Sequence, residues 1–373
     1  MRKVLSIGLV LVLSSWSTIS QSQSCPDTAK FDVPSDPSMK GPFQVGARTI
    51  QIGRLGVEVW YPIDSDTTSQ LGEKKVYDIR EHLPDNHMSK IPDAEEPFQY
   101  CDCYDQAQPD LSSGPFPVLI YVHGTASFRT ASLTQFTHWA SRGFIVMSAD
   151  NPYIRPKDIL KPLGTIGMLR ANQKKDTQEL IDAVQQNHPA LAFLEPAIAK
   201  DRIGLSGHSA GAGAISSFTN TKAVKILIPM AGGSPKTNGL VKSTLVLAAV
   251  RDGVGSYDSA VSSYESLVGK KRLVGLKNAG HLAFSDICFI QSDKGGMLEV
   301  ADKYGVPVPS IVRRLGVDGC GDGYLSPEAG WEIINYVSTA AFEETLACSS
   351  QSPTSFDQLP AHIESNIELR QSL

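Results

Sequence analysis

No run of five or six lysines and arginines occurs in the 373 residues, and 34 Lys and Arg are outnumbered by 39 Asp and Glu, giving a formal charge of −5. A surface built to grip nucleic acid is therefore not expected. Charged residues make up only 20% of the chain and hydrophobic ones 41%, which excludes an intrinsically disordered protein and a collagen-like one. The chain also lacks the series of apolar runs, each of about 20 residues, that a polytopic membrane protein needs. No internal repeat is visible. What remains is a globular chain whose length permits one large α/β domain with insertions or two small domains.

Arg2 and Lys3 precede the short apolar stretch Val4 to Leu13, which gives way to Ser14-Ser15-Trp16 and a Ser/Gln-rich segment ending at Cys25. This is the layout of a secretory signal peptide, with cleavage expected between Ser20 and Ser24. Residues 1–24 are thus read as a signal, 25–348 as the domain and 349–373 as a loose polar tail, in a secreted or periplasmic protein. A lipid anchor at Cys25 is disfavoured because no Leu stands three residues before it. All six cysteines, Cys25, Cys101, Cys103, Cys288, Cys320 and Cys348, follow the cleavage point. An even number in an oxidising compartment predicts disulfides. Six cysteines allow fifteen pairings; Cys288 with Cys320 is preferred, because they bracket a loop-rich stretch. Cys101-Asp102-Cys103 is too tight for the usual zinc spacing, and no second ligand pair follows. Neither a metal nor another cofactor is expected.

Short apolar runs alternate with helical stretches: Val118 to Val122, Phe144 to Met147, Ile203 to Ser206, Val224 to Ile228, Thr244 to Val250 and Arg272 to Leu276. Continuous apolar character over a few residues suits strands covered on both faces of a parallel sheet. Helices are predicted near 131–142, 174–187, 211–219 and 258–269, and another starts at Ser326-Pro327 with Ser as N-cap and Pro in the first turn. The class is α/β, with an open sheet between two helical layers. Arg48 to Ile52 and Val57 to Tyr61 read as an antiparallel pair at the sheet edge. Residues 64–115, acidic and without periodicity, read as a surface insertion.

Gly207-His208-Ser209-Ala210-Gly211 places G-x-S-x-G between a strand and a helix start. That context marks a nucleophile elbow: a strained turn exposes the serine hydroxyl, and glycines flank it because a Cβ there would strike neighbouring backbone. If Ser209 is the nucleophile, the acid and then the histidine follow it in sequence. Only His281 and His362 lie beyond Ser209; His362 is in the polar tail, and His281 follows the last predicted strand. Between Ser209 and His281 the only carboxylates are Asp252, Asp258 and Glu265. Asp252 directly follows a strand at the carboxyl edge of the sheet, where ligands bind, so it is favoured. Asp258, read as a helix cap, is the fallback. The oxyanion hole should combine the backbone N–H of Ala210 with that of Thr125 in His123-Gly124-Thr125-Ala126. His123 and His208 are read as packing groups, and Leu282, Phe284 and Ile287 as apolar candidates for an acyl pocket. Asp318-Gly-Cys-Gly-Asp-Gly323 invites comparison with a calcium loop, but Cys320 at the third place and Ala329 in place of a bidentate Glu argue for a glycine-rich turn.

With these residues in hand, the chain resembles α/β-hydrolases of the plasma-type platelet-activating-factor acetylhydrolase group, which merges into chlorophyllase-like and cutinase-like esterases. The resemblance rests on Val57-Glu-Val-Trp-Tyr-Pro62, on His123-Gly-Thr-Ala-Ser-Phe-Arg-Thr130 running on to Ala140 to Val146, and on Gly207 to Gly211. It covers roughly 45–63 and 116–347. It implies a calcium-independent serine esterase for short or modified acyl chains, with Ser209, Asp252 and His281 as the triad and a small-molecule or lipid ester as substrate. Peripheral contact with a lipid surface stays open. The other readings are a secreted polyester-degrading hydrolase, favoured by a shallow exposed cleft, and a binding protein on a hydrolase scaffold.

Overall fold

The structure, a computed structural model, describes residues 31–63, 71–235, 239–346 and 356–373. The signal-peptide segment, Cys25 and Cys348 lie outside the described residues. The strands are β1 (Gln44–Ile52), β2 (Leu55–Ile63), β3 (Lys74–Asp78), β4 (Phe98–Asp105), β5 (Phe116–Val122), β6 (Ile145–Ala149), β7 (Ile198–His208), β8 (Val224–Met230), β9 (Ser243–Ala249), β10 (Lys271–Leu276) and β11 (Ile367–Ser372). They form one sheet in the order β11-β10-β9-β8-β7-β5-β6-β2-β1-β4-β3. From β10 to β6 every neighbouring pair is parallel. The helices are α1 (Asp85–Met88), α2 (Leu133–Ser141), α3 (Pro156–Ile159), α4 (Gly164–Gly167), α5 (Gln173–Gln185), α6 (Ala210–Ile215), α7 (Tyr257–Ser266), α8 (Met297–Lys303), α9 (Ser310–Leu315), α10 (Pro327–Leu346) and α11 (Ala361–Ser365).

The six apolar runs become β5 to β10, and their continuity has the expected cause. Leu119, Tyr121, Val146 and Leu247 face one way, under Phe136 and Trp139 of α2 and Ile334 and Phe342 of α10. Their sequence neighbours Val118, Ile120 and Ile145 face the other way, with Leu180 and Val184 of α5 and Ile215 of α6. Because successive strand side chains alternate between faces, helices on both faces bury every residue of the run.

Two expectations fail. Residues 71–115 are not an irregular insertion: they contribute α1, β3 and β4, and β4 pairs in parallel with β1. The β1–β2 pair is antiparallel, as expected, but β4 and β3 lie outside it, so it is not the edge. The period of two in β4 is real, yet its buried side is made of Gln99, Cys101 and Cys103, residue types that do not announce a strand. Likewise the described C-terminal residues are not a loose tail. Their strand β11 pairs antiparallel with β10, and Phe356, Ile363 and Ile367 are buried. Backbone pairing with an open edge holds this polar strand in place, a contribution invisible to side-chain pattern.

Cys288 and Cys320 are joined as expected (S–S 2.02 Å), and Cys101 is joined to Cys103 within β4. A buried charge ties the two helices of one face together at the end of α2. Arg142 Nε donates to Glu343 Oε1 of α10 (2.8 Å), and its other nitrogens donate to the carbonyls of Pro34, Asp36 and Met39. Burial pushes the Glu343 carboxyl above its ordinary value, and Arg142 opposes the shift. Removing one partner of such a pair strands the other charge. Arg142→Met is therefore expected to destabilise the protein by about 3–5 kcal/mol in urea unfolding, and Arg142→Met combined with Glu343→Leu to recover most of the loss.

Candidate active site

Strand β7 ends at His208 and α6 starts at Ala210, so the whole reversal falls on Ser209, at φ 56° and ψ −117°. A non-glycine residue held at such an angle costs about 1–3 kcal/mol unless its surroundings fix it. Here the Ser209 N–H donates to the Met230 carbonyl at the end of β8 (2.9 Å). The flanking glycines are required as anticipated: a Cβ on Gly207 would stand 2.7 Å from the Gly211 carbonyl carbon, and one on Gly211 would run into the Val122 carbonyl.

His281 follows β10 in a short 3-10 turn, and its Nε2 lies 2.9 Å from Ser209 Oγ. Its Nδ1 lies 2.9 Å from Asp252 Oδ2 in the turn after β9. The Asp252 carboxylate also accepts the N–H groups of Val254 and Gly255 through Oδ1 (2.8 and 2.7 Å). A hydroxyl against an imidazole whose second nitrogen meets a buried carboxylate is an arrangement suited to activating a nucleophile. The alternatives are not brought here. Asp258 sits in the first turn of α7, where the N-cap is Ser256 rather than the expected Asp258. His362 is exposed beside Glu332.

Ala210 is the first residue of α6, so its N–H has no intrahelical acceptor. Thr125, the second expected oxyanion donor, lines the recess onto which Ser209 opens. Gly124 is needed beside it, because a Cβ there would come within 3.0 Å of Ser209 Cβ. His123 fixes this loop. Its Nε2 accepts the Asn151 N–H (2.9 Å), which leaves Nδ1 to donate to the Gly124 carbonyl (2.7 Å). That pattern needs a neutral ring, and burial lowers its pKa accordingly. His208 Nε2 donates to the His281 carbonyl (2.9 Å), and burial drives its pKa down to about 3. Both histidines thus frame the site, as read from the sequence. Ser209 opens onto a recess of about 400 Å³ lined in part by Leu282 and Ile287. Phe284, the third anticipated lining residue, instead belongs to the sheet core.

No sequence-family profile matches the chain, and no curated protein does. Among solved structures it is similar to a ferulic acid esterase from Streptomyces cinnamoneus, with a TM-score of 0.59 and 20% identity over 88% of this chain and 96% of that one. The chain has the α/β-hydrolase fold. Among the described residues no group of three or more His, Cys, Asp or Glu is placed to hold a metal ion, and no helix is long and apolar enough to cross a membrane.

Within that α/β-hydrolase frame, sequence reasoning missed Asp318. Its Oδ1 accepts the His281 N–H (2.6 Å), its Oδ2 the Gly253 N–H (2.9 Å) and its backbone carbonyl the Leu282 N–H (2.9 Å). One carboxylate therefore clamps the loop carrying Asp252 to the loop carrying His281. The Cys288–Cys320 disulfide anchors the Asp318 turn from two residues away. The only sequence signal was the calcium-like spacing, which points to the wrong chemistry. Asp318→Ala is expected to slow fluorophosphonate labelling of Ser209 by about 10²-fold, the scale set by a small misplacement of reacting groups, with little change in circular dichroism. The neutral His123 and His208 also set a pH dependence. Their folded values lie below the ordinary 6.5, so their contribution to stability is complete above about pH 6.5. Below it the unfolded chain takes up protons that the fold refuses, so stability falls as pH drops; for His208, whose folded value is about 3, the slope approaches roughly 1.4 kcal/mol per pH unit. Urea midpoints measured across this range check the sign.

Proposed function

We propose that the chain is a secreted serine hydrolase of carboxylic esters. The observation that carries this reading is the hydrogen-bonded series Ser209, His281, Asp252 at a strained strand-to-helix turn facing a recess. In the proposed cycle His281 takes the Ser209 proton as Oγ attacks the ester carbonyl. The N–H groups of Thr125 and Ala210 hold the oxyanion, and His281 returns the proton to the departing alcohol. Water, deprotonated by the same imidazole, then adds to the acyl-enzyme and releases the acid, restoring Ser209. Asp252 orients the ring and stabilises its charged form.

The resemblance to the platelet-activating-factor acetylhydrolase group supports a metal-free ester hydrolysis of this kind, and the structurally similar Streptomyces protein is itself named a ferulic acid esterase. The two disulfides among the described residues fit an oxidising compartment, so export belongs to the same reading. A polymer-degrading role would want a shallow, open cleft, whereas this recess is walled by Met297, Leu298 and Val312. A non-catalytic binding protein would have no need of all three aligned side chains.

Ser209→Ala is expected to lower p-nitrophenyl ester turnover by about a million-fold and Asp252→Asn by about 10⁴-fold, both with unchanged thermal unfolding. Turnover by Ser209→Ala at the wild-type rate refutes the mechanism.

A further inference from the structure

Beside the Ser209 recess lies a second chamber of about 130 Å³. The two share Ala126, Met297, Leu298 and Val312 as lining, so the second continues the first across these side chains. Its far wall is apolar, with Ile79, Leu83 and Ile91 from the segment before β4, Leu160 after α3, and Val300 and Ala301 from α8. These residues are not part of the two cores that flank the sheet. They gather in small clusters of their own around the chamber, so the sheet does not need this space for its packing.

The charged and amide groups on the chamber wall are already occupied. Arg80 donates to Asp78 and to the Ile91 carbonyl (2.6 and 2.8 Å) and pairs with Asp93 (2.7 Å). His82 stacks on Phe128 with ring centroids 4.2 Å apart, and burial lowers its pKa to about 4, leaving it neutral. The Gln291 amide donates to the carbonyls of Glu95 and Glu96 (2.7 and 3.0 Å). A ligand entering here meets no free charge, and the one uncommitted polar group among these three residues is the neutral His82 imidazole, held flat against Phe128 with Nδ1 4.0 Å from Asp150 Oδ1; a wall this apolar penalises a charged headgroup and favours hydrocarbon. At the junction, Met297 supplies an adaptable side chain that can reshape around a passing chain.

We propose that this chamber binds an unbranched aliphatic chain of the substrate ester, making medium-chain aliphatic esters, rather than acetates, the preferred substrates. The inference rests on the esterase reading, and the walls that carry it lie partly in residues 71–115, outside the stretches that resemble known esterases.

The test compares p-nitrophenyl acetate with p-nitrophenyl octanoate, and ethyl octanoate with octyl acetate, for the full-length wild type and for Ala301→Phe, which fills the chamber. The wild type is expected to favour octanoate over acetate by at least about tenfold in kcat/KM. Ala301→Phe should abolish that preference and leave acetate turnover intact. The ethyl octanoate and octyl acetate arms show whether the chain enters from the acyl or the alcohol side. Equal kcat/KM for short and medium chains, or equal loss on both in a folded Ala301→Phe, overturns the proposal. A binding measurement covers a variant that does not fold and a wild type that cleaves nothing. Calorimetry of decanoic acid with Ser209→Ala protein should show binding with a negative heat-capacity change, and no detectable binding overturns the chamber assignment. Failure of acetate turnover with decanoate still bound would instead sink the esterase reading alone.

Discussion

The site depends on one constraint of the backbone, that β7 must become α6 within a single residue. Ser209 bears the whole change of direction at φ 56°, a conformation costing about 1–3 kcal/mol. The neighbouring chain offsets it: Met230 on β8 accepts the Ser209 N–H, and the Ser209 carbonyl accepts the Gly213 N–H as the first turn of α6 closes (3.2 Å). Gly207 and Gly211 let the helix start against the ends of β5 and β7. Any larger residue at either position would push α6 off the sheet. The hydroxyl would then leave the reach of His281.

Parallel pairing of β7, β8, β9 and β10 does the rest of the assembly. Because parallel strands end on the same edge of the sheet, the turns after β7, β9 and β10 open side by side, and residues far apart in sequence meet there. Ser209, Asp252 and His281 come from those three turns. The turns are loops, so strand order alone would leave the imidazole imprecisely placed. Asp318 removes that freedom by taking a backbone N–H from each of the two later loops. Asp286 adds a second tie. It accepts the N–H of Thr134 at the start of α2 (3.0 Å), where α2 has no side-chain cap of its own, and burial raises its carboxyl to about pH 7.

The parts legible in the sequence are those where local pattern and tertiary role coincide. The runs that became β5 to β10 are apolar because both faces are covered. The elbow is legible because its glycines are demanded within a few residues of the serine, and Asp252 because it directly follows a strand. What escaped notice depends on partners distant in sequence. Strand β4 buries Gln99 and two cysteines; Gln99 is satisfied by Thr130, 31 residues away, so the buried side of the strand looks polar. Strand β11 is ordered by β10 rather than by its own side chains. Asp318 holds N–H groups, and backbone donors leave no mark in a sequence. Phe284 is close to His281 in sequence, which suggests the pocket, yet the 3-10 turn directs it into the core.

These two kinds of residue also divide the labour of the site. Ser209, Asp252 and His281 stand at the ends of sheet strands, whose cores on both faces resist displacement. The space facing them is bounded by α8, the segment before β4 and Val312 of α9, and α8 and that segment pack in small clusters separate from those cores. Gly295 and Gly296, both at positive φ, precede α8, so the backbone leading into this wall turns where a side chain would be strained. A substitution among Met297, Leu298, Ala301 or Val312 can therefore reshape the cavity without moving Ser209, because no strand ends in those residues. By this division, the geometry of the Ser209, His281 and Asp252 series is fixed by the sheet and the shape of the recess by the wall, and the two can vary independently.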